Sequence, residues 1–296
     1  MKIIQSFAKF KEGSPYLQHK RGKENYVYLN FYCALLSYLT ISEKYGPITM
    51  FCNQDAYDSF IKYIPYDYII IKENTNPFEV WNKYKIDVMR TIDDDIIHID
   101  SDVFLLGRFY DEFINGDYDI MVQDILPKKE NQTAYFGYEN KEFLAETKIL
   151  TKQYDGRCMS CGSFGLRKKV QPYFYAGVDV LYKAMLDIGV NNIPYATMII
   201  EELLLYMIAY ENDFTVYEIL PEDLMKNFEN ALYAGDSIGY LHMWMQLKYR
   251  RHILDFMRKK IFYEYPTHYH TILKYENDVM SKFKYFYYMN FTKIYG

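Results

Sequence analysis

Asp100 and Asp102 stand one residue apart at the end of the run Ile96-Ile97-His98-Ile99. A short stretch rich in β-branched residues reads as a buried strand. At the carboxyl end of a parallel strand in an open α/β sheet, the chain emerges where ligands bind. Two carboxylates in that position offer the hard oxygens that a divalent cation takes, and such a cation neutralises a diphosphate. Spacing alone leaves a second account open, a solvated turn at a strand end. Two further D-x-D runs, Asp93 to Asp95 and Asp117 to Asp119, do not end an apolar run. The first follows a helical pattern and reads as a solvated turn; the second lies in Asn115-Gly116-Asp117-Tyr118, a turn signature that opens the next strand.

The elements that must carry these aspartates alternate. Lys2 to Phe7 reads as a strand and the polar stretch Lys9 to Glu24 as a loop. Helical spacing follows from Tyr26 to Ser42, then a strand from Ile48 to Cys52, a helix starting near Gln54 and a strand from Tyr68 to Ile71. Pro77 opens a helical segment to about Thr91, ahead of the strand Ile96 to Ile99. This β-α-β-α-β-α-β order predicts a doubly wound parallel sheet over the first hundred residues. Beyond it come a strand from Ile120 to Gln123, a loop from Pro127 to about Asn140, a helical stretch to about Gln153 and a strand over Ser160 to Arg167. A long helix from Gln171 to Ile188, a further helix from Thr197 to Tyr210, and strands from Phe214 to Ile219 and Ile238 to Leu241 complete the sheet. The expected fold is an α/β open sheet flanked by helices, one compact domain over 1–248.

The stretch His98-Ile99-Asp100-Ser101-Asp102-Val103-Phe104-Leu105 resembles the metal-binding D-x-D strand end of GT-A glycosyltransferases, the nucleotide-diphosphosugar transferase superfamily. The match is closest to small retaining transferases similar to glycogenin and bacterial galactosyltransferases. Three later stretches resemble that family in the same order. Ser160-Cys161-Gly162-Ser163-Phe164-Gly165 is similar to its donor-sugar strand, with Ser160 where the family has asparagine. Glu201-Glu202 is similar to its acid-then-glutamine helix start. His242, with Lys248 six residues on, is similar to its H-x-x-G-x-x-K motif, with Met245 in place of the glycine.

The resemblance implies that Asp100, Asp102 and His242 bind Mn²⁺ or Mg²⁺. It implies that Asp100, Asp102 and Glu201 are catalytic, and that Ser6, Lys85, Ser101, Gly162 and Lys248 contact a nucleotide-diphosphosugar, a UDP-sugar. Arg90 is a weaker basic candidate beside Lys85. The implied partner is a glycan or lipid-linked sugar acceptor, and the implied outcome is retention. Ser160 and Met245 keep a second function open, a GT-A-fold nucleotide- or glycan-binding protein without turnover. A nucleotidyltransferase ranks lower, because Ser6 to Gly13 contains one glycine rather than a Gly-rich phosphate loop.

Composition narrows the field. With 296 residues, half of them hydrophobic, the chain can bury one large core or two modest ones. A net charge of −5 argues against nucleic acid as a bulk electrostatic partner. No window approaches the roughly 20 apolar residues of a membrane span, and Met1 to Phe7 is too short for a signal peptide, so a soluble cytoplasmic protein is expected. The four cysteines are too few for a disulfide framework. Cys158-Met159-Ser160-Cys161 lacks the second ligand pair of a zinc site. The 34 tyrosines suit carbohydrate contacts, and equally a biased composition. Residues 249–296 turn basic and aromatic. They read as a helical extension that either packs on the core or makes peripheral contact with an anionic membrane.

Overall fold

The computed structural model describes residues 1–9, 23–126, 147, 157–193, 196–221, 238–243 and 251–279. Strands β1 (Lys2–Phe7), β2 (Thr49–Cys52), β3 (Tyr68–Ile71) and β4 (Ile96–Ile99) are parallel, in the spatial order β3-β2-β1-β4. Helices Lys23–Tyr45, Gln54–Ser59 and Lys83–Met89 lie between them in the chain. The alternation read from the sequence is therefore present, with the first helix starting at Lys23 rather than Tyr26. Pro77 opens a short 3-10 turn, Phe78–Val80, ahead of the helix.

After β4 the chain forms β5 (Val103–Leu105), a helix Asp111–Asn115, β6 (Ile120–Val122), β7 (Asp124–Leu126), β8 (Cys158–Ser160) and β9 (Ser163–Leu166). The strand expected over Ser160 to Arg167 is thus two strands broken at Cys161-Gly162. β9 inserts antiparallel between β4 and β6, and β10 (Val216–Glu218) pairs parallel with β6 to close a seven-stranded sheet. The expected last sheet strand does not join it. β11 (Tyr240–His242) pairs antiparallel with β5 in a separate two-stranded ribbon. Strand propensity is local, whereas the partner is chosen by tertiary packing.

Two cores form, one on each face, because successive strand side chains point to opposite sides. On one face Met50, Cys52, Ile97, Ile99 and Met121 pack against Phe31, Leu35 and Leu39 of the Lys23–Tyr45 helix. On the other, Ile4, Phe51, Ile96, Ile120, Val122 and Phe164 meet Ile86 and Met89, Phe174 and Leu181 of the Gln171–Ile188 helix, and Leu204 and Ile208. Each fully buried aliphatic or aromatic side chain contributes roughly 1.5–3 kcal/mol.

The second helix expected in this half is not uniform. A π-helical turn, Ile199–Leu203, sits between α-helical Ala196–Met198 and Leu204–Glu211. π-Turns of this kind often occur at functional sites, and this one carries Glu201 and Glu202.

The helices Arg251–Glu264 and Tyr269–Val279 bury Ile253, Met257, Ile261, Ile272 and Tyr275 in the first core. Tyr275 stacks on Phe31 at 3.9 Å between ring centroids. Among the described residues, no helix is long and apolar enough to cross a membrane. Residues 10–22 of the expected loop Lys9 to Glu24, the loop 127–140, the helix to about 153 apart from Thr147, and Met245 and Lys248 lie outside the described residues.

Candidate functional site

The site is built where β4 ends. Asp100, Ser101 and Asp102 form the turn between β4 and β5, closed by the Val103 amide donating to the Asp100 carbonyl at 3.1 Å. The Asp100 amide donates to the Gly162 carbonyl at 2.8 Å, so antiparallel β9 delivers the Cys161-Gly162 break to the first aspartate. The β5–β11 ribbon delivers the histidine. His242 lies opposite Val103, and the Met243 amide donates to the Asp102 carbonyl at 2.9 Å. Gly239, at φ 88°, supplies the left-handed turn before β11 and accepts from the Leu106 amide at 2.6 Å.

Asp100, Asp102 and His242 consequently present one ligand atom each within 4.8 Å of one another, all half-buried. His242 Nε2 is 3.6 Å from Asp102 Oδ1. Two carboxylate oxygens and one imidazole nitrogen suit Mn²⁺ or Mg²⁺ with remaining positions for water or phosphate oxygens. The residues present therefore fit a divalent cation.

Beneath this cluster lies a buried ion-pair network. Lys85, on the Lys83–Met89 helix, reaches Asp100 Oδ1 at 3.1 Å and Glu201 Oε1 at 2.5 Å. Burial works against its charge, but the Asp100 and Glu201 carboxylates outweigh burial and hold its pKa above the usual lysine range. Glu201 is 3% exposed. Burial pushes its carboxyl up to about 6 against the opposing pull of Lys85, and Asn82 donates to Oε2 at 2.6 Å. Glu202 is raised well above the ordinary range by burial and by the Glu201 charge.

His98, fully buried on β4, shares a 2.8 Å hydrogen bond with Ser6 Oγ, and its Nδ1 is 3.8 Å from Asp100 Oδ1. Burial first, then the Lys85 charge, keep it neutral. Ser6 is thus engaged by His98 below the aspartates, and Ser101 lies half-buried in the turn between them.

Gly162 has a packing reason. A Cβ there would overlap the His242 ring and come within 2.6 Å of Gln123 Oε1. Ser160, where the resembling family has asparagine, hydrogen-bonds Asp124, its partner across β7 and β8. Asp124 is pushed up to about 6 by burial, opposed by Ser160 and His242 and reinforced by Glu218, and its Oδ1 is buried without a hydrogen-bond partner among the described residues.

Several candidates of the sequence stand elsewhere or differ in surroundings. Arg90 is not at the site: it forms a paired contact with Asp179 at 2.6 and 3.0 Å and donates to the Tyr175 carbonyl. The Asp93 to Asp95 turn is more than solvated. Asp95 accepts from Arg167 Nη1 at 3.0 Å and from the Lys168 amide at 2.7 Å, and Asp94 pairs with the N-terminal ammonium. Cys158 and Cys161 are buried free thiols with raised pKa. Lys248 lies outside the described residues.

The sequence reading missed Gln123, Asn82, Asp124 and His98. Gln123 and Asp124 directly follow the apolar run Ile120-Met121-Val122, the same strand-end signal that singled out Asp100.

The chain belongs to the family described as "Family of unknown function (DUF6734)", which matches residues 1–275. No curated protein matches its sequence. Among solved structures it is similar to a galactosyltransferase, LgtC, in complex with donor and acceptor sugar analogs, at 9% identity and a TM-score of 0.44 over 82% of this chain and 86% of that one. It is also similar to the glycosyltransferase GlyE in Streptococcus pneumoniae TIGR4, at 11% identity and a TM-score of 0.46, over 94% of this chain and 64% of that one. Likenesses this distant say nothing of substrate, and the chemistry rests on the side chains.

Proposed function

We propose that the chain is a metal-dependent glycosyltransferase of the GT-A kind, taking a nucleotide-diphosphosugar, a UDP-sugar, as donor and a glycan or lipid-linked sugar as acceptor. The observation that carries this reading is the convergence of Asp100, Asp102 and His242 within 4.8 Å at the carboxyl end of β4, directly above the Lys85–Glu201 pair. Asp100, Asp102 and His242 would hold Mn²⁺ or Mg²⁺. A cation bound there supplies positive charge to the leaving diphosphate, on which negative charge develops as the glycosidic bond breaks.

The chain's own residues orient the rest. Lys85 keeps Asp100 in place through the ion pair and adds a fixed, dehydrated positive charge below the cluster. Ser6, Ser101, Gly162 and Lys248 would be the further contacts to the nucleotide-diphosphosugar, Lys248 to its diphosphate. Glu201 has both oxygens engaged, Oε1 by Lys85 and Oε2 by Asn82. A carboxylate so held is poorly placed to swing to an incoming hydroxyl as a general base. Its place supports retention, in which the leaving diphosphate takes the acceptor proton and Glu201 stabilises positive charge near the sugar. Residues 1–248 would form the nucleotide-sugar unit, with 249–296 an extension that also offers a peripheral membrane contact.

A panel of nucleotide-sugars incubated with Mn²⁺ and the full chain tests the reading through donor hydrolysis. Release of nucleotide diphosphate from one donor, abolished by chelation, is expected. Metal-dependent binding with no hydrolysis of any donor and no transfer would favour a binding protein on the same fold.

A further inference from the structure

His242 reaches the aspartates from a three-residue strand, and a short strand does not by itself fix which ring nitrogen faces them. The ring is gripped from behind. His242 Nδ1 lies 2.8 Å from Gln123 Oε1, and that oxygen also accepts from the Tyr240 hydroxyl at 3.3 Å. An amide oxygen only accepts, so Nδ1 carries the proton, and in the neutral ring Nε2 then keeps its lone pair. The 3.6 Å between His242 Nε2 and Asp102 Oδ1 agrees. It is too long for a donor and acceptor in a hydrogen bond.

The grip continues inward. Tyr240 also lies 2.9 Å from Ser163 Oγ, and Ser163 lies 2.9 Å from the Tyr110 hydroxyl. All three are buried. These buried hydroxyls back the Gln123 amide, whose oxygen faces His242 Nδ1. On the other side the ring lies directly over Gly162, where a Cβ would overlap it. The hydrogen bond sets the tautomer, and the missing side chain sets the position.

We propose that Gln123 is a positioning residue for cation binding, holding His242 as the Nδ1–H tautomer with its Nε2 lone pair turned toward Asp100 and Asp102, while Gly162 provides the space for that ring. The inference rests on reading the aspartate–histidine cluster as a cation site, but the tautomer can be observed without any cation. Outer hydrogen-bond partners of metal-binding histidines are typically worth 10- to 100-fold in metal affinity.

The test uses the full chain labelled with ¹⁵N-histidine, metal-free at a pH where the imidazole is neutral. Long-range ¹H–¹⁵N spectra should show the His242 Nδ1 protonated and Nε2 unprotonated, and Gln123→Leu should erase that preference. Mn²⁺ titration followed by electron paramagnetic resonance should then show affinity falling roughly 10- to 100-fold in Gln123→Leu. Gln123→Glu, which keeps an acceptor at the same place, should retain it. Gly162→Ala should lose affinity with Gln123 intact. An Nε2–H tautomer in the wild type, or a Gln123→Leu protein that binds Mn²⁺ as tightly as wild type, overturns the inference. A wild type showing the Nδ1–H tautomer yet binding no Mn²⁺ overturns the cation reading and, with it, the positioning role.

Discussion

Lys85→Met removes the side chain that bridges Asp100 and Glu201, and its cost can be worked from the surroundings. Lys85 and Glu201 are 4% and 3% exposed, so the variant strands a carboxylate in the interior with, among the described residues, Asn82 as its remaining donor. Breaking a buried pair by deleting one partner costs roughly 3–5 kcal/mol. The stranded group escapes part of this by taking up a proton. Glu201 already sits at about 6 with Lys85 present, against an ordinary 4.5, and without the lysine it must rise further. Each unit of rise is worth about 1.4 kcal/mol. A folded-state pKa above the unfolded value means that the folded protein holds the extra proton, so stability is lost as pH rises from the unfolded pKa through the folded one. The deficit of Lys85→Met against wild type should therefore be small near pH 5 and approach roughly 3–4 kcal/mol at pH 8. Urea unfolding followed by circular dichroism at both pH values measures it. Adding Glu201→Gln, which keeps the shape and removes the charge, should recover most of the loss at pH 8. A deficit under about 1 kcal/mol, a deficit equal at both pH values, or no recovery in the double variant would refute the argument that Lys85 neutralises a buried Glu201.

Asp124 gives a prediction of the same sign without a lysine. Its carboxyl is pushed from 3.8 up to about 6 in the fold, so its charge destabilises the folded state once pH passes through that range. Asp124→Asn should match wild type below about pH 4 and exceed it above pH 6 by at most about 3 kcal/mol, less in proportion to the residual solvent screening, by urea unfolding. Glu201→Gln alone should slow transfer on the order of 10- to 100-fold, the worth of one charged hydrogen bond, while donor binding persists. NMR of the fresh product should show an α-linkage from an α-linked donor, and a β-linked product with an inactive variant would make Glu201 the base.

Much of this fold can be read from local pattern. Lys2–Phe7, Tyr68–Ile71 and Ile96–Ile99 are short apolar strands bounded by polar turns, and the Gln171–Ile188 helix opens with proline in its first turn and ends at Gly189. What the pattern does not contain is pairing. That β9 enters the sheet antiparallel, and that β11 leaves it for β5, depends on contacts across about 65 and 140 residues of chain. The site divides in the same way. Asp100 and Asp102 announce themselves by ending an apolar run, and His242 is marked by resemblance. Gln123 and Asn82 are single polar residues whose importance lies entirely in what they touch. The π-turn that carries Glu201 and Glu202 is a departure from regular helix with no sequence mark in its largely apolar surroundings.

The claim on which the rest depends is that Asp100, Asp102 and His242 bind one divalent cation together with a nucleoside diphosphate. Calorimetric titration of UDP into the full chain with and without Mn²⁺, repeated on Asp102→Ala, measures this directly. Mn²⁺-dependent UDP binding by the wild type is expected, lost in Asp102→Ala while the thermal unfolding midpoint in the absence of ligands stays near wild type. UDP affinity that is the same with and without Mn²⁺, or unchanged in Asp102→Ala, would contradict the account.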